Sequence, residues 1–446
     1  MIYRKQFDAI WPIRWAALAF VLMCCTFPIV GMFYLMFDVS SMPWLTRALF
    51  LLYVGLWMYG ISGALKRPVE VNWLDVAIGI YFLSVTLGYF RSGFPGSGFE
   101  YMLALNLIPY LIGRFSLIED VESILNYVFM IASAVTLLFL VSLPELYHSW
   151  AQASAWLQHP TLYGFISTVG GLDVVMGMLP VLAAVIYIIC SEQNSPLKST
   201  VLIIAVMLGS SLLLLISSRS AYAALLGTLL FIMLVGFTKK TAKYVAALLI
   251  SVVVAAALTS NIAPENNIKF NTQWKIDSLH KVPSSISGQG YGEVDETDSA
   301  AVRLVLWGRA ITHMMDSPLM GIGPKEWTYE KPHPHNVVLE SGQSFGVLSV
   351  VSLLGFFAMM LFSTRVSEAI SLRQQVIRSS IWVLCIYMLF YNLVQGQLGS
   401  FRSLPLFLLC GLVSGLVGNN QGLLKGFFVG YQKKSERKES AMVGNS

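Results

Sequence analysis

The sequence from residue 200 to residue 217 reads TVLIIAVMLGSSLLLLIS and contains no charged residue. A helix of about 20 apolar residues crosses the hydrocarbon core of a bilayer, and closed barrels show short alternating segments instead. Comparable runs recur along the chain, and we place spans near residues 15–36, 44–65, 72–90, 100–113, 122–143, 170–190, 200–217, 221–237, 243–260, 344–363, 378–395 and 403–419. The sequence therefore predicts an all-α polytopic membrane protein with about 12 transmembrane helices.

The composition of the whole chain agrees with a lipid environment. Of its 446 residues, 56% are hydrophobic and 12% are charged, and the mean hydropathy is +0.67. These values exclude an ordinary water-soluble surface. No disulfide framework is predicted, because every cysteine lies in an apolar run. The first apolar run lacks a small-residue cleavage site, so we interpret it as a retained span.

The basic residues predict the orientation of the chain. Most Lys and Arg residues outside the long loop fall on the side of the N-terminus, and the short loops of the other side keep only Arg47, Arg91, Arg219 and Arg402. By the positive-inside rule both termini are cytoplasmic. The net charge of +5 is thus a topology signal and predicts no nucleic-acid partner. Four regions follow: spans 1–9 in residues 1–260, an outer loop at 261–343, spans 10–12 at 344–419, and a basic tail at 420–446 facing membrane lipids.

The outer loop divides into two parts. Residues 261–299 are polar, and we predict a flexible cover; the Gly-Gln-Gly-Tyr-Gly sequence at 288–292 lacks the Lys-Ser/Thr of a phosphate-binding loop. From Ala300 apolar residues recur at helical spacing, which predicts an amphipathic helix on the membrane surface, with Asp298 or Ser299 as its N-cap. Arg303 and Arg309 would project in different directions from it.

The end of the loop carries two histidines, in the sequence Pro332-His333-Pro334-His335-Asn336. The next span begins within about ten residues, so His335 is expected close to the outer membrane surface. Imidazole can accept a proton near neutral pH, which makes either histidine a candidate general base, and we favour His335.

Three segments together resemble the O-antigen ligase and polymerase superfamily of bacterial envelope glycosyltransferases. They are Ser217-Ser218-Arg219-Ser220, the stretch from Arg303 to Trp307 continuing to Asp316–Pro324, and His335-Asn336 followed by Leu339, Glu340 and Gly346. The resemblance covers roughly residues 200–365. It departs after His335-Asn336, where many relatives have an acidic residue and then Thr before the closing glycine, and this chain has Ser344 and Phe345.

This resemblance implies a GT-C-like fold in the inner membrane of a Gram-negative bacterium, with a periplasmic catalytic loop. It implies a metal-independent transfer, without a cofactor, of a glycan from undecaprenyl diphosphate. By motif position, Arg219 and Arg303 match the basic pair of the family, and His335 matches its loop histidine. Guanidinium groups bind phosphate oxygens in pairs and stay charged, which suits a diphosphate leaving group beside lipid.

Each of these residues also has a structural interpretation. Arg219 could be an interfacial anchor, and Arg303 or Arg309 could lie on the solvated face of the loop helix. Arg402 is expected to anchor the interface more than to bind phosphate. Asp173, at the outer end of a span, could orient His335 or the acceptor, or could cap a helix. His333 remains an alternative base, and Asn336 is a further candidate of the same motif.

Four functions remain open from the sequence. We favour an O-antigen ligase, whose acceptor is lipid A-core oligosaccharide, because the chain has only one long outer loop. An O-antigen polymerase and a protein oligosaccharyltransferase would use the same donor. A secondary transporter would place its polar groups at the bilayer midplane in two repeated halves, and no such halves are found.

Overall fold

The structure is a computed structural model that describes residues 48, 51–52, 55, 58, 71–94, 98–115, 118–141, 143–144, 161–162, 165–166, 172–190, 195–216, 218–235, 239–262, 280–287, 292–294, 299–324, 333–363, 372–396, 398–399 and 403–418. The predicted span at 15–36, most of that at 44–65, the basic tail at 420–446 and Arg402 lie outside the described residues.

Within these ranges the chain is helical except for one short antiparallel pair of strands, β1 (Thr161–Leu162) and β2 (Phe165–Ile166). A π-helical segment, Leu103–Leu107, separates the second helix from the third. The helices are α1 (Trp73–Arg91), α2 (Gly98–Met102), α3 (Ile108–Phe115), α4 (Ile118–Val141), α5 (Leu172–Cys190), α6 (Pro196–Leu215), α7 (Arg219–Val235), α8 (Lys239–Ile262), α9 (Val282–Ser285), α10 (Ser299–Asp316), α11 (Val337–Phe345), α12 (Val347–Ser363), α13 (Leu372–Gln395) and α14 (Leu404–Gly418).

Several of these helices have the length and composition of membrane spans. Among the described residues, five qualify: Trp73–Arg91, Asp173–Cys190, Pro196–Leu215, Ala242–Thr259 and Gln375–Gln395. Shorter apolar helices cover Leu125–Val141, Arg219–Leu234, Val347–Leu361 and Leu404–Gly415. The protein is therefore membrane-embedded, and from residue 72 onward its apolar helices fall where the sequence predicts apolar runs.

The core of the bundle is built around α5 and α13. Residues 173–185 of α5 are all buried, and so are residues 383–388 of α13. A helix segment that is buried on every side presents no face to water or lipid and lies inside the bundle. These two helices pack on each other, and the candidate site forms where their ends meet.

The closest helix pair is α3 with α14. A Cβ atom on Gly411 would run into the carbonyl oxygen of Tyr110, and a Cβ on Gly113 would run into that of Leu408. Gly411 and Gly415 form a Gly-x-x-x-Gly sequence, which lets helix backbones approach closely in lipid. This contact depends on van der Waals packing between the backbones, so it should tolerate no side chain.

A buried ion pair reinforces the same contact. The Arg114 guanidinium donates to both carboxylate oxygens of Asp75, through Nε at 2.8 Å and Nη2 at 2.9 Å. Tyr110 and Ser414 also donate to that carboxylate, at 2.7 and 2.8 Å. Because a buried charge needs such partners, the network joins the first turn of α1 to α3 and α14. It lies at the end of α1 opposite Arg91.

Changing Gly411 to Val should destabilise the bundle. The new side chain would force α3 and α14 apart, and overpacking of this kind costs about 1–3 kcal/mol or more. The measurement is the thermal midpoint of the purified protein in detergent. Gly355→Val is the control, since a Cβ there meets nothing within 4 Å. Equal midpoints for the two variants would contradict the close contact.

The outer loop contains the helix that the sequence predicts from Ala300, beginning at Ser299. Ala301 and Val305 of α10 are buried against Val294, and Leu306 is also buried. Leu304, Ile311 and Met315 are exposed. At 100° per residue these three lie within about 40° of one another and form an apolar stripe.

The prediction of a flexible cover is wrong for residues 280–287 and 292–294. These residues pack on α10, where Arg309 donates through Nη2 to Ser285 O at 2.6 Å and through Nε to Ile286 O at 3.0 Å. Gly308 leaves room for the Ile286 side chain. The composition of the segment is polar overall, but it includes a few apolar residues, of which Val294 is one. These are enough to fix the segment to the helix.

The span predicted from residue 344 begins at Val347 and is preceded by the separate buried helix α11. Gly346 divides the two with a φ of +83°. The turn at 321–323 donates two N–H groups to the last carbonyls of α11, from Ile322 to Gln343 at 2.8 Å and from Gly323 to Ser344 at 3.1 Å. The loop thus supplies the partners that the end of the helix lacks.

Candidate active site

The turn before Arg219 is held by a buried carboxylate. Asp173, 2% exposed in the first turn of α5, accepts from Ser218 Oγ at 2.6 Å and from Tyr391 OH at 3.3 Å through the same oxygen. Arg219 is the first residue of α7, and its side chain is exposed. The structure therefore places Asp173 against the turn that presents Arg219.

Arg303 of the loop helix reaches the same turn. Its Nη2 lies 2.5 Å from Gln395 Oε1 and 3.5 Å from Ser220 Oγ, although Ser220 is 83 residues away in the chain. Ser220 Oγ in turn donates to Gln395 Oε1 at 3.3 Å. Because Ser220 follows Arg219 directly, the fold brings the two arginine-bearing segments together.

His335 has a strained backbone. Its φ is +52°, in the left-handed region that side chains larger than glycine seldom occupy. The His335 N–H donates to His333 Nδ1 at 3.1 Å, and the two ring centroids are 3.8 Å apart. His333 Nδ1 is therefore the acceptor that shapes the loop. Strain of about 1–3 kcal/mol is maintained where a side chain must point in one direction, which is common at functional sites.

Two bonds fix the histidine loop to the rest of the site. Trp307 Nε1 donates to Pro334 O at 2.9 Å, and Trp307 lies one turn after Arg303 on α10. Asn336 caps α11 by accepting from Val338 N and Leu339 N, and its Nδ2 donates to Leu393 O at 2.8 Å. Asn336 thus has an architectural role, and the helix start that it stabilises sets the position of His335.

Arg309 and Arg303 contact different partners, as their spacing predicts. Arg309 binds the carbonyls of Ser285 and Ile286 described above, and burial lowers its pKa from the ordinary value. A guanidinium remains charged after such a change, so Arg309 fastens the loop segment. Arg91, which the charge pattern predicts on the outer side, donates through Nη1 to Gly321 O at 3.3 Å and holds the loop turn against α1.

Three residues at the end of α13 bind other parts of the site, and sequence reasoning missed them. Within one turn and a half, Tyr391 binds Asp173, Leu393 O accepts from Asn336, and Gln395 accepts from Arg303 and Ser220. The sequence carries a signal here, because Asn392, Gln395 and Gln397 are polar residues at the end of an otherwise apolar span. Such residues in a membrane helix are candidates for function.

The arrangement offers positive charge for an anionic ligand and a candidate proton acceptor in connected parts of the structure. Arg303 and the Arg219 turn supply positive charge, and the histidine loop is joined to them through α10 and α13. Glu340, also part of the motif, is buried and accepts from Leu398 N at 2.9 Å, which joins α11 to the chain after α13. The loop, α7, α11 and α13 therefore form one connected site.

Part of the chain matches a known protein family. Residues 203–354 match the family model described as O-antigen ligase, which confirms the resemblance found in the sequence. The match includes Arg219, Arg303 and His335, and it supports a glycosyltransferase of the O-antigen ligase or polymerase type acting in lipopolysaccharide biosynthesis. A comparison with curated proteins found none that matches.

Proposed function

We propose that the protein transfers O-antigen glycan from undecaprenyl diphosphate to lipid A-core oligosaccharide at the periplasmic face of the inner membrane. The observation that carries this proposal is the approach of Arg303 to Ser220, the residue after Arg219, within 3.5 Å. The segments that carry Arg219 and Arg303, from distant parts of the chain, meet there, and a diphosphate is an anion that two guanidinium groups bind well.

Arg219 and Arg303 would hold the diphosphate of the donor. As the bond from the sugar to the diphosphate breaks, negative charge grows on the leaving oxygen. Preorganised donors aimed at that oxygen stabilise the transition state. Diphosphate is already a good leaving group, so the two arginines can perform this task without a metal ion.

His335 would act as the base for the acceptor. Its imidazole takes the proton from the attacking hydroxyl while that oxygen forms the new bond to the anomeric carbon. One in-line displacement inverts the configuration at this carbon. His333, whose Nδ1 accepts from the His335 backbone, would keep the loop in shape.

The proposed function requires the loop to lie at the outer surface of the membrane. We place both termini in the cytoplasm, about 12 spans across the inner membrane, and the apolar stripe of α10 in the outer interface. This places Arg303 at the level where the diphosphate of a membrane-bound donor lies.

A transfer assay in detergent tests the proposal. Purified protein is given undecaprenyl-diphosphate-linked glycan and lipid A-core oligosaccharide in the presence of a chelator, and the product is identified by mass. We expect glycan on the core. Polymer formed from the donor alone would identify a polymerase instead, and a product on protein would identify an oligosaccharyltransferase. No transfer to any acceptor would refute the enzyme, and a strict need for Mg²⁺ would refute the metal-independent mechanism.

A further inference from the structure

Gln395 joins the three elements that carry the positive charge of the site. One side-chain oxygen, Oε1, accepts from Arg303 Nη2 at 2.5 Å and from Ser220 Oγ at 3.3 Å. The first donor belongs to the loop helix α10 and the second to the start of α7, while Gln395 itself ends α13. The position of the Arg303 guanidinium therefore depends on this oxygen.

The Gln395 acceptor oxygen belongs to a neutral group, and this decides how much charge the Arg303 guanidinium keeps. A carboxylate at the same place would form a forked ion pair with the guanidinium and cancel its charge. An amide oxygen binds one N–H and leaves the net charge of +1 in place. A guanidinium has five N–H donors, and the bond to Gln395 occupies only part of them. The arrangement orients the cation and preserves its attraction for an anion.

The helix that carries Gln395 is a firm support. Tyr391 and Leu393 of the same segment bind Asp173 and Asn336, and α13 is buried in the bundle core. A long arginine side chain has many rotamers. Holding it in place before the ligand binds reduces the conformational entropy that is lost on binding. A firm neutral anchor is what a preorganised phosphate site requires.

We infer that Gln395 is the positioning residue of the diphosphate site, holding Arg303 beside the Arg219 turn without neutralising it. This inference rests on the proposed function and adds to it the residue that sets the donor affinity. Gln395 acts through Arg303, so its effects should disappear when Arg303 is absent.

The experiment compares Gln395→Glu with Gln395→Ala in the purified full-length protein. The probe is inorganic diphosphate, whose Kd is measured by calorimetry with no glycan or acceptor present, and the donor KM and kcat are measured alongside. Gln395→Glu should raise the Kd and the KM by at least about tenfold, because the new carboxylate competes for Arg303. Gln395→Ala should lower kcat and change the Kd less. Gln375→Glu, exposed near the other end of the same helix, is the matched control and should bind as the wild type does.

A purely structural role predicts the opposite order of the two variants. Glutamate keeps the size and an acceptor oxygen of glutamine, so packing alone would make Gln395→Glu the milder change. That order, or diphosphate binding by Gln395→Glu equal to that of the wild type, would overturn the inference. In an Arg303→Ala background, Gln395→Glu should add less than about a threefold change, as expected for residues acting as a unit.

Two further results separate this inference from the proposed function. Diphosphate binding that Gln395→Glu weakens as expected, in a protein that transfers no glycan, would refute the proposed function alone. Glycan transfer by the wild type, together with a donor KM that Gln395→Glu leaves unchanged, would refute the inference alone. If Gln395→Glu does not fold, Gln395→Met, of similar size with only the weak acceptor of a thioether sulfur, should lower kcat by about tenfold, and an unchanged kcat would overturn the inference.

Discussion

Replacing Arg303 by alanine should slow glycan transfer sharply, with kcat falling by about a hundred to a thousand-fold, the usual cost of removing one preorganised donor. The guanidinium lies at Gln395 and Ser220, so its loss removes positive charge from the place where the leaving group would develop its charge. The measurement is single-turnover transfer at saturating donor. The protein should still insert and fold, since the bonds of the histidine loop to Trp307 and Leu393 remain.

Two lysine variants on the same helix test whether the site needs a guanidinium or only a positive charge. Arg303→Lys should also lose most of its activity, because an ammonium group is a point charge and cannot reproduce the fork of a guanidinium. Arg309→Lys makes the same replacement six residues later, where the side chain binds the carbonyls of Ser285 and Ile286. It should lower the thermal midpoint and leave transfer near normal. Transfer by Arg303→Lys at the wild-type rate would show that the guanidinium is not needed.

The sequence predicts the helical parts of this fold well because lipid imposes a simple rule. Each span must satisfy its own backbone and present apolar side chains, and both requirements are visible as long apolar runs. The apolar helices from α1 onward lie where those runs lie, and α10, predicted from Ala300, begins at Ser299. The arginine and histidine candidates could be named because they are among the few ionisable groups that the sequence predicts near the outer ends of spans.

The contacts between these elements could not be predicted in the same way. Gln395 is neutral and ends an apolar span, so nothing in its local sequence reveals that it lies between Arg303 and Ser220. The break at Gly346 depends on the turn at 321–323, which binds the last carbonyls of α11. Both features result from long-range packing, and a hydropathy pattern records only which residues avoid water.

At the departure from the family pattern, Ser344 contributes a backbone carbonyl, which any residue would supply, and Phe345 contributes its side chain. The Ser344 carbonyl accepts from Gly323 N, and the Phe345 ring packs against Gly88 and the Tyr89 ring, whose centroid is 5.7 Å away. These residues fasten the end of α11 to the loop turn and to α1. The change of sequence is therefore compatible with the same reaction, because these contacts differ from those of Arg303 and His335.

Changing His335 to alanine should reduce transfer by about a hundred to ten thousand-fold, the usual contribution of a general base. The strained backbone of His335, with a φ of +52°, indicates that this loop fixes the direction of one side chain. Single-turnover transfer at saturating donor and acceptor measures the loss. Donor affinity should change little, since the diphosphate is assigned to Arg219 and Arg303, and the defect should therefore appear in kcat more than in the donor KM.

Variants of His333 test which of the two histidines is the base and which one shapes the loop. His333 Nδ1 accepts the His335 N–H at 3.1 Å, and the side-chain oxygen of asparagine can accept the same bond in an Asx-turn. His333→Asn should therefore keep most of the activity, whereas His333→Ala should lose part of it through a looser loop. Added imidazole should restore some transfer to His335→Ala and none to His333→Ala, because only the first variant lacks a proton acceptor. Near-normal turnover by His335→Ala, together with inactivity of His333→Asn, would transfer the role of base to His333.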